Sequence, residues 1–368
     1  MFELELEKFI QSHTNWRELL QQPPYNIAIK DDGEYTLLKY NQISSDFSNQ
    51  IVRECRGIIL YDGAVVCQAF DKFFNYGEPN ADEIDWSTAR VQTKLDGSLI
   101  KLWYMGVEDK WHISTNGTID AYKCPLEVNS LISDTFDGKY ETYGELFDEA
   151  AKNSGLDYSK LNKSRVYMFE LVSPYNRIVV KYDRPEIWHI GTRGRLTLKE
   201  YDEDIGVQKP KEYHFSSLED CIEGAKSLTA NEEGYVVVDA QWHRVKVKNP
   251  TYLMLHRAAL NGKVTYSYLV ELIRDGEVDE FVTYFPEYKD AIKRIEEKIA
   301  ELVIQTDRNN AILKREYAKR VFELDKANSD FYFKKMGNQQ MDYREYLFSC
   351  VKQPDRIVKA LGLGEKNE

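Results

Sequence analysis

The sequence predicts an α+β protein, with an antiparallel β-rich domain over residues 1–253 followed by an all-α C-terminal domain over residues 254–368. Three observations lead there. Up to Lys248, short apolar runs alternate with Gly, Asp and Asn turns, the pattern of half-buried strands. Beyond Met254 apolar residues instead fall at the three-and-four spacing of helices. With 368 residues, 42% hydrophobic and 30% charged, the chain can bury one sizeable core and a smaller second one.

Leu4, Phe9, Ile10, Trp16, Leu19 and Leu20 keep helical spacing until Pro23-Pro24, which predicts one or two short packing helices. Ile27 to Tyr40 alternates about Asp32-Gly33 and predicts a hairpin. A second hairpin is predicted from Gly57–Tyr61 and Ala64–Phe70 about Asp62-Gly63. Arg53 and Arg56 stand at its entrance, and Lys72-Phe73-Phe74 at its exit. Adjacent strand residues point to opposite faces, so one of Phe73 and Phe74 belongs to the core and the other can face a ligand. Val91–Thr93 and Leu99–Met105 read as strands meeting at a tight Asp96-Gly97 turn that holds Lys94 at a strand end. Ser98–Met105 and Trp111–Thr115 form the next predicted pair, closed by Asn116-Gly117, and the period from Ala121 to Asn153 is helical.

Strands are then expected at Arg165–Val172, Arg177–Tyr182, Glu186–Ile190 and Leu196–Tyr201. Glu170 lies inside the first of these. An ionised carboxylate in an apolar strand is costly unless it is held in a salt bridge or faces a site. Glu232-Glu233-Gly234 precedes the apolar run Tyr235–Val238, and Arg244, Lys246 and Lys248 then share one face of a last strand. No acidic residue lies between Gln241 and Arg257. This is a basic patch in an acidic chain, unless it is a solvated edge strand guarded by lysines. Further on, Tyr288, Ile292, Ile295, Ile299 and Leu302 predict a long helix opened by Pro286, whose stripe is a core seam in preference to a coiled coil and breaks at Gln305–Asn310.

The net charge of −12 argues against a uniformly basic nucleic-acid coat, although not against a local basic groove. Five scattered cysteines without Cys-x-x-Cys spacing point to a reducing compartment and away from structural zinc. The acidic N-terminus does not read as a signal peptide and no long apolar run is present, so a cytoplasmic protein without a membrane partner is expected.

A lysine is a compact charge that binds phosphate, and as an unprotonated amine it is a nucleophile. The ordered set Lys94-Leu95-Asp96-Gly97, the strand glutamate Glu170, Glu233-Gly234 and Lys246-Val247-Lys248 resembles the covalent nucleotidyltransferases, that is RNA ligases, DNA ligases and capping enzymes. Ser98-Leu99 after the glycine, Arg56 upstream, Lys72-Phe73-Phe74-Asn75, and Pro174–Val179 after Glu170 are similar to the phage-type, tRNA-repairing ATP-dependent RNA ligases over about residues 30–260. The resemblance implies a ligase/capping-enzyme-like domain in which Lys94 takes AMP from ATP, passes it to an RNA 5′-phosphate, and lets a 3′-hydroxyl displace it. It also implies catalytic roles for Lys94, Lys246, Lys248 and Arg56, and nucleotide contacts from these last three with Lys72, Phe74, Asp96, Gly97, Glu170 and Glu233, with Asp96 either binding the ribose or fixing the turn. Glu170 and Glu233 are the implied ligands of Mg2+, with Mn2+ as a substitute, and Glu170 is alternatively a ribose contact. Trp188 and Phe74 are the candidates for stacking on adenine. The implied partners are broken tRNA or single-stranded RNA ends, recognised by the helical C-terminal domain, and an end-healing kinase or phosphatase; a monomer is expected.

One departure stands out: the family tends to carry a basic residue before the glycine of Asn116-Gly117, and Asn116 cannot supply that charge. Two rival readings are weaker. A DNA ligase or capping enzyme is expected to carry an oligonucleotide-binding barrel after Lys248, and a non-catalytic nucleic-acid binder does not need an aligned nucleophile, carboxylates and lysine pair.

Overall fold

A computed structural model of the chain describes residues 4–42, 44–126, 139–176, 180–229, 232–250, 252, 266–276, 278–284, 288–313, 343–349, 357, 358, 360 and 361. The chain divides into two compact units, Met1–His256 and Arg257–Glu368. The first is mixed α+β with mostly antiparallel sheets.

At the start, α1 (Glu5–Ser12) and α2 (Trp16–Gln21) lay Leu4, Leu6 and Leu20 on a sheet ordered β1-β2-β3-β4. Its strands are β1 (Ile27–Asp32), β2 (Tyr35–Tyr40), β3 (Arg56–Tyr61) and β4 (Ala64–Cys67). The β3–β4 turn is the expected hairpin: Asp62 at φ 46° and Gly63 at φ 78° adopt the two positive dihedrals of a type I′ turn. Between β2 and β3, the short α3 (Gln50–Glu54) ends on Glu54, which is 3% exposed and whose carboxylate accepts the backbone N–H groups of Glu5 at 3.2 Å and Leu6 at 2.8 Å.

Burial pushes the Glu54 carboxyl up to about 7, against the lowering effect of those N–H donors. A raised carboxyl pKa means that the folded state holds the proton more tightly than the unfolded one. The associated stability is therefore complete below the unfolded value and lost as pH rises through about 7. Glu54→Gln removes this titration. In urea unfolding, the stability of Glu54→Gln relative to wild type should rise between about pH 5 and pH 8 by up to roughly 3 kcal/mol. A pH-independent difference would refute the assignment.

The second sheet is ordered β11-β10-β9-β7-β8 and the third β12-β6-β13-β14-β5. In the second are β7 (Ser98–Met105), β8 (Lys110–Thr115), β9 (Arg165–Val172), β10 (Glu186–Gly194) and β11 (Glu200–Tyr201). Its core, with Ile100, Leu102, Phe169, Leu171 and Ile187, packs under α4 (Tyr143–Asn153), which is opened by a capping box from Thr142 to Glu145. The third sheet holds β5 (Phe74–Asn75), β6 (Arg90–Thr93), β12 (Glu212–Tyr213), β13 (Gly234–Val238) and β14 (Arg244–Lys248), next to which α5 (Leu218–Lys226) packs.

Several sequence expectations change here. Of the strands expected at Arg177–Tyr182 and Leu196–Tyr201, only Glu200–Tyr201 is a strand among the described residues, since the chain turns at Leu198 with φ 55°. Asp96-Gly97 is not a hairpin turn, because β6 and β7 belong to different sheets and Lys94–Gly97 crosses between them. Long-range contacts fix the crossing: Val180 N donates to Asp96 Oδ2 at 2.7 Å, and a methyl on Gly97 would overlap Leu171 O and lie 2.9 Å from Val172 Cγ1. Nor is β14 an edge strand, since β5 pairs with it in parallel on the far side from β13. Asn116-Gly117 follows β8 and does not close the β7–β8 pair, whose turn lies at Gly106–Asp109, with Asp109 at φ 48°. Of the expected helix from Ala121 to Asn153, only the turn Ala121–Lys123 and α4 are helical among the described residues; Val128, Leu131 and Ile132 lie outside them, as do Arg177–Val179 and Pro286.

In the second unit every described element is a helix: α6 (Tyr266–Asp275), α7 (Val278–Tyr284), α8 (Lys289–Leu313) and α9 (Tyr343–Ser349). Ile292, Ile295 and Ile299 are buried, as their stripe predicts. The helix continues through the expected break at Gln305, where Thr306 Oγ1 donates to Leu302 O at 2.7 Å. No helix among the described residues is long and apolar enough to cross a membrane.

Candidate active site

The second and third sheets face each other across a cavity of about 290 Å3, and Lys94 stands at its edge on the crossing between them. Period-two alternation sets up one wall. Gln92, Val236 and Lys246 are register partners on β6, β13 and β14, so their side chains form a single row. Leu99 and Glu170, partners on β7 and β9, line the other wall together with Ile190, the extra residue of a bulge in β10.

Lys94 is tied to the third sheet twice. Its backbone N–H donates to Gly234 O at 2.8 Å, and its Nζ lies 2.5 Å from Glu233 Oε1. The other oxygen, Glu233 Oε2, is buried without a hydrogen-bond partner. Glu170 Oε1 accepts from Gly97 N at 3.1 Å, which locks the crossing onto β9. The Glu170 carboxyl is pushed up to about 7 by burial first and by Glu233 and Asp96, while Lys94 and Arg56 oppose the shift. It makes no ion pair among the described residues, so the salt-bridge reading of this strand glutamate gives way to one in which it faces the cavity.

Arg56 lines the same space with its guanidinium 5.2 Å over the Phe73 ring, and its Nη1 is buried without a partner. Lys246 Nζ lies 5.5 Å over the same ring. Burial holds the Lys246 ammonium well below the ordinary lysine range, and the charges of Lys72, Lys248, Lys94 and Arg56 push it the same way. The sequence-predicted cations therefore form one electropositive cluster, although Lys248 and Lys72 do not line the cavity. Lys248 is buried opposite Gly234, and Lys72 lines an adjoining cavity.

Phe74 and Asp96, two of the expected nucleotide contacts, do not line this cavity. Phe74, at 3% exposure, is packed under Phe47 and Arg53, so its neighbour Phe73 is the aromatic that faces the cavity. Asp96 is buried beneath the crossing with its carboxylate on Val180 N, which fixes the turn and keeps it off the cavity wall. Trp188 sits opposite Glu170 on β10 and likewise does not line it.

The sequence profile of the RNA ligase family matches residues 54–252, the stretch that contains every wall just described. The chain belongs to the RNA ligase family. It is 33% identical over 288 residues to an Autographa californica nuclear polyhedrosis virus protein provisionally named a bifunctional polynucleotide kinase/RNA ligase, a match covering 73% of this chain but 40% of that protein. It is 26% identical over 384 residues to the RNA ligase of Rhodothermus phage RM378, covering 87% of this chain and 85% of the phage protein. Its backbone is similar to an archaeal ATP-dependent RNA ligase, with a TM-score of 0.44 and 14% identity over 81% of this chain and 83% of the other.

One buried cation beside the cavity is absent from the sequence-predicted residues. Lys101, on β7, is completely buried, and its Nζ donates to Gly57 O beneath Arg56. Burial lowers its pKa, as do Arg56 and Lys39. The signal was a lone lysine inside the apolar run Leu99–Met105, the same argument that exposed Glu170. Gly57 must stay small there, since at φ 73° its Cβ would lie 2.5 Å from Asn116 O. Asn116, where the basic residue is missing, is thus wedged against the strand that carries Arg56, and its Oδ1 is buried without a partner.

Proposed function

We propose that this chain is an ATP-dependent RNA ligase that seals 5′-phosphate and 3′-hydroxyl ends, in the repair of broken tRNA or other RNA. The observation that carries the reading is Lys94 Nζ, held 2.5 Å from Glu233 at the edge of a cavity walled by Arg56, Lys246, Glu170 and Phe73. In the first step Lys94 Nζ loses a proton to Glu233 Oε1 and attacks the α-phosphorus of ATP. The N–P bond forms as the bond to pyrophosphate breaks. Arg56 and Lys246 bear the charge that gathers on the phosphate oxygens, in a site preorganised by β-strand backbone. AMP then passes from Lys94 to the RNA 5′-phosphate, and the 3′-hydroxyl displaces it to form the phosphodiester.

The orphaned Glu233 Oε2 and the carboxylate of Glu170 suit a hydrated magnesium ion, which keeps most of its waters and takes one or two protein carboxylates. Bound there, Mg2+ or Mn2+ would neutralise phosphate charge. Phe73 supplies the flat apolar wall for the nucleotide, and Gly97, which also lines the cavity, lets the crossing lie close on Leu171 so that Lys94 is presented to that nucleotide. Residues 254–368 are assigned to recognition of the RNA body. Free Cys55, Cys67, Cys124 and Cys221 support work in a reducing compartment such as the cytoplasm, where an end-healing kinase or phosphatase would prepare the ends.

The test is incubation with magnesium and ATP radioactive at the α-phosphate. It should label the protein in a bond stable to base and labile to acid, and the label should chase onto 5′-phosphorylated RNA ahead of sealing. Comparison of nicked tRNA anticodon stem-loops, single-stranded RNA and nicked duplex DNA ranks the substrates. Labelling by GTP and not ATP, or sealing of DNA in preference to RNA, would sink the reading.

A further inference from the structure

Beside the Lys94 cavity lies a larger one, of about 510 Å3, that shares Phe70, Phe73 and Arg244 with it. We propose that this second cavity binds the end of the RNA strand itself, with the indole of Trp242 as the platform on which a base stacks; the inference rests on the RNA ligase reading.

Trp242 is the reason. It occupies the tight turn between β13 and β14 at φ 69°, a left-handed conformation that Gly, Asn or Asp adopts at far less cost. The surroundings impose it. Asp239, 2% exposed, accepts the N–H groups of Gln241 at 2.9 Å and His243 at 3.0 Å on Oδ1, and its carbonyl accepts Trp242 N at 3.1 Å. A tryptophan kept in a strained turn and only half-buried is not filling a core. Its ring instead lines the second cavity, with the guanidinium of Arg244 at 5.6 Å and that of Arg90 at 5.8 Å.

Both arginines are fixed by carboxylates. Arg244 makes a two-pronged ion pair with Glu200, at 2.8 and 2.5 Å, and lies 4.2 Å over Phe70; Arg90 pairs with Asp202 at 2.6 Å. The stacking surface is therefore stiff before ligand arrives. The cavity is also cationic in a chain of net charge −12: Arg53, Lys72, Arg193, Lys199 and Arg244 line it against Asp71, Asp82 and Glu200. Stacking aromatics set in a positive groove are how proteins hold single-stranded nucleic acid. Continuity through Phe70 and Phe73 aims a strand seated there at Lys94. Gly191 makes that junction possible, because a Cβ at this position would lie 2.6 Å from Phe70 Cζ.

The experiment compares the full-length wild type with Trp242→Ala, Trp242→Phe and Trp242→Gly, scoring lysyl-AMP formation from ATP, affinity of the adenylylated chain for a short 5′-phosphorylated RNA, and melting temperature. Trp242→Ala and Trp242→Gly should weaken RNA binding roughly five- to 150-fold, the range for losing one base–aromatic stack. Trp242→Phe should keep most of the affinity, and lysyl-AMP formation should stay near wild type in all three. Trp242→Gly relieves the backbone and should melt no lower than wild type, which separates a binding role from a structural one. Unchanged RNA affinity in the Ala and Gly variants overturns the inference, as does a parallel fall in lysyl-AMP formation. A wild type that forms no lysyl-AMP refutes the RNA ligase reading instead.

Discussion

Lys94→Ala should form no lysyl-AMP, a loss of roughly 10⁴-fold or more, because no other group can take the place of a covalent nucleophile. Lys94→Arg should fail equally. A guanidinium keeps the charge and could hold the 2.5 Å pairing with Glu233, but it cannot give up a proton to become a nucleophile. Both variants should still join an RNA whose 5′ end already carries AMP, since the last displacement is made by the 3′-hydroxyl in a site whose Arg56 and Lys246 are intact. The measurement is radiolabel retained on the chain, beside sealing of pre-adenylylated RNA. Labelling of Lys94→Ala at the wild-type rate would move the nucleophile elsewhere; loss of the pre-adenylylated reaction with the fold preserved would give Lys94 a part in the final step as well.

Much of this site was legible because chemistry restricts which residues can stand where. A charged residue inside an apolar strand needs a reason, and Glu170 turns out to line the cavity beside Lys94; the same argument extends to Lys101, the lysine buried under Gly57, which is absent from the sequence-predicted residues. Strand alternation put Lys246 and Lys248 on one face without any knowledge of the fold. What could not be read was decided by partners far away in sequence. Asp62-Gly63 and Asp96-Gly97 are the same dipeptide between apolar runs, yet the first is a hairpin and the second a crossing between sheets. Partners distant in sequence distinguish them, among them Glu170, Leu171, Val172, Val180 and Tyr182. Alternation likewise says that Phe73 and Phe74 face opposite ways, while the parallel pairing of β5 with β14 decides which one meets the cavity. Trp242 carries no pattern at all, since its conformation comes from the Asp239 turn around it.

The junction of β13 with the Lys94 crossing leads to the second large effect, Gly234→Ala. Gly234 sits at φ 141°, where side chains are strained, and a Cβ there would overlap Val247 O and lie 2.7 Å from Lys248 Cα. Both obstacles are backbone of β14, so no rotamer change can relieve them. The backbone term and the overpacking term each cost roughly 1–3 kcal/mol, leaving a domain of ordinary stability folded but weakened. To make room, either β14 moves off with Lys246 and Lys248, or Gly234 lifts away from Lys94 and breaks the 2.8 Å bond from Lys94 N. Either way the Lys94 amine and Lys246, which line the same cavity, are no longer held by one frame. A displacement near 1 Å at a reacting centre costs about 100-fold, so lysyl-AMP formation should fall by that much at temperatures well below the melting point. Gly33→Ala is the control: at φ 62° in the β1–β2 turn, with no atom within 4 Å of the added methyl, it carries backbone strain without any collision. It should lower the melting temperature modestly and leave lysyl-AMP formation at the wild-type rate. If folded Gly234→Ala labels as fast as Gly33→Ala, the nucleophile and the β14 lysines do not depend on that junction.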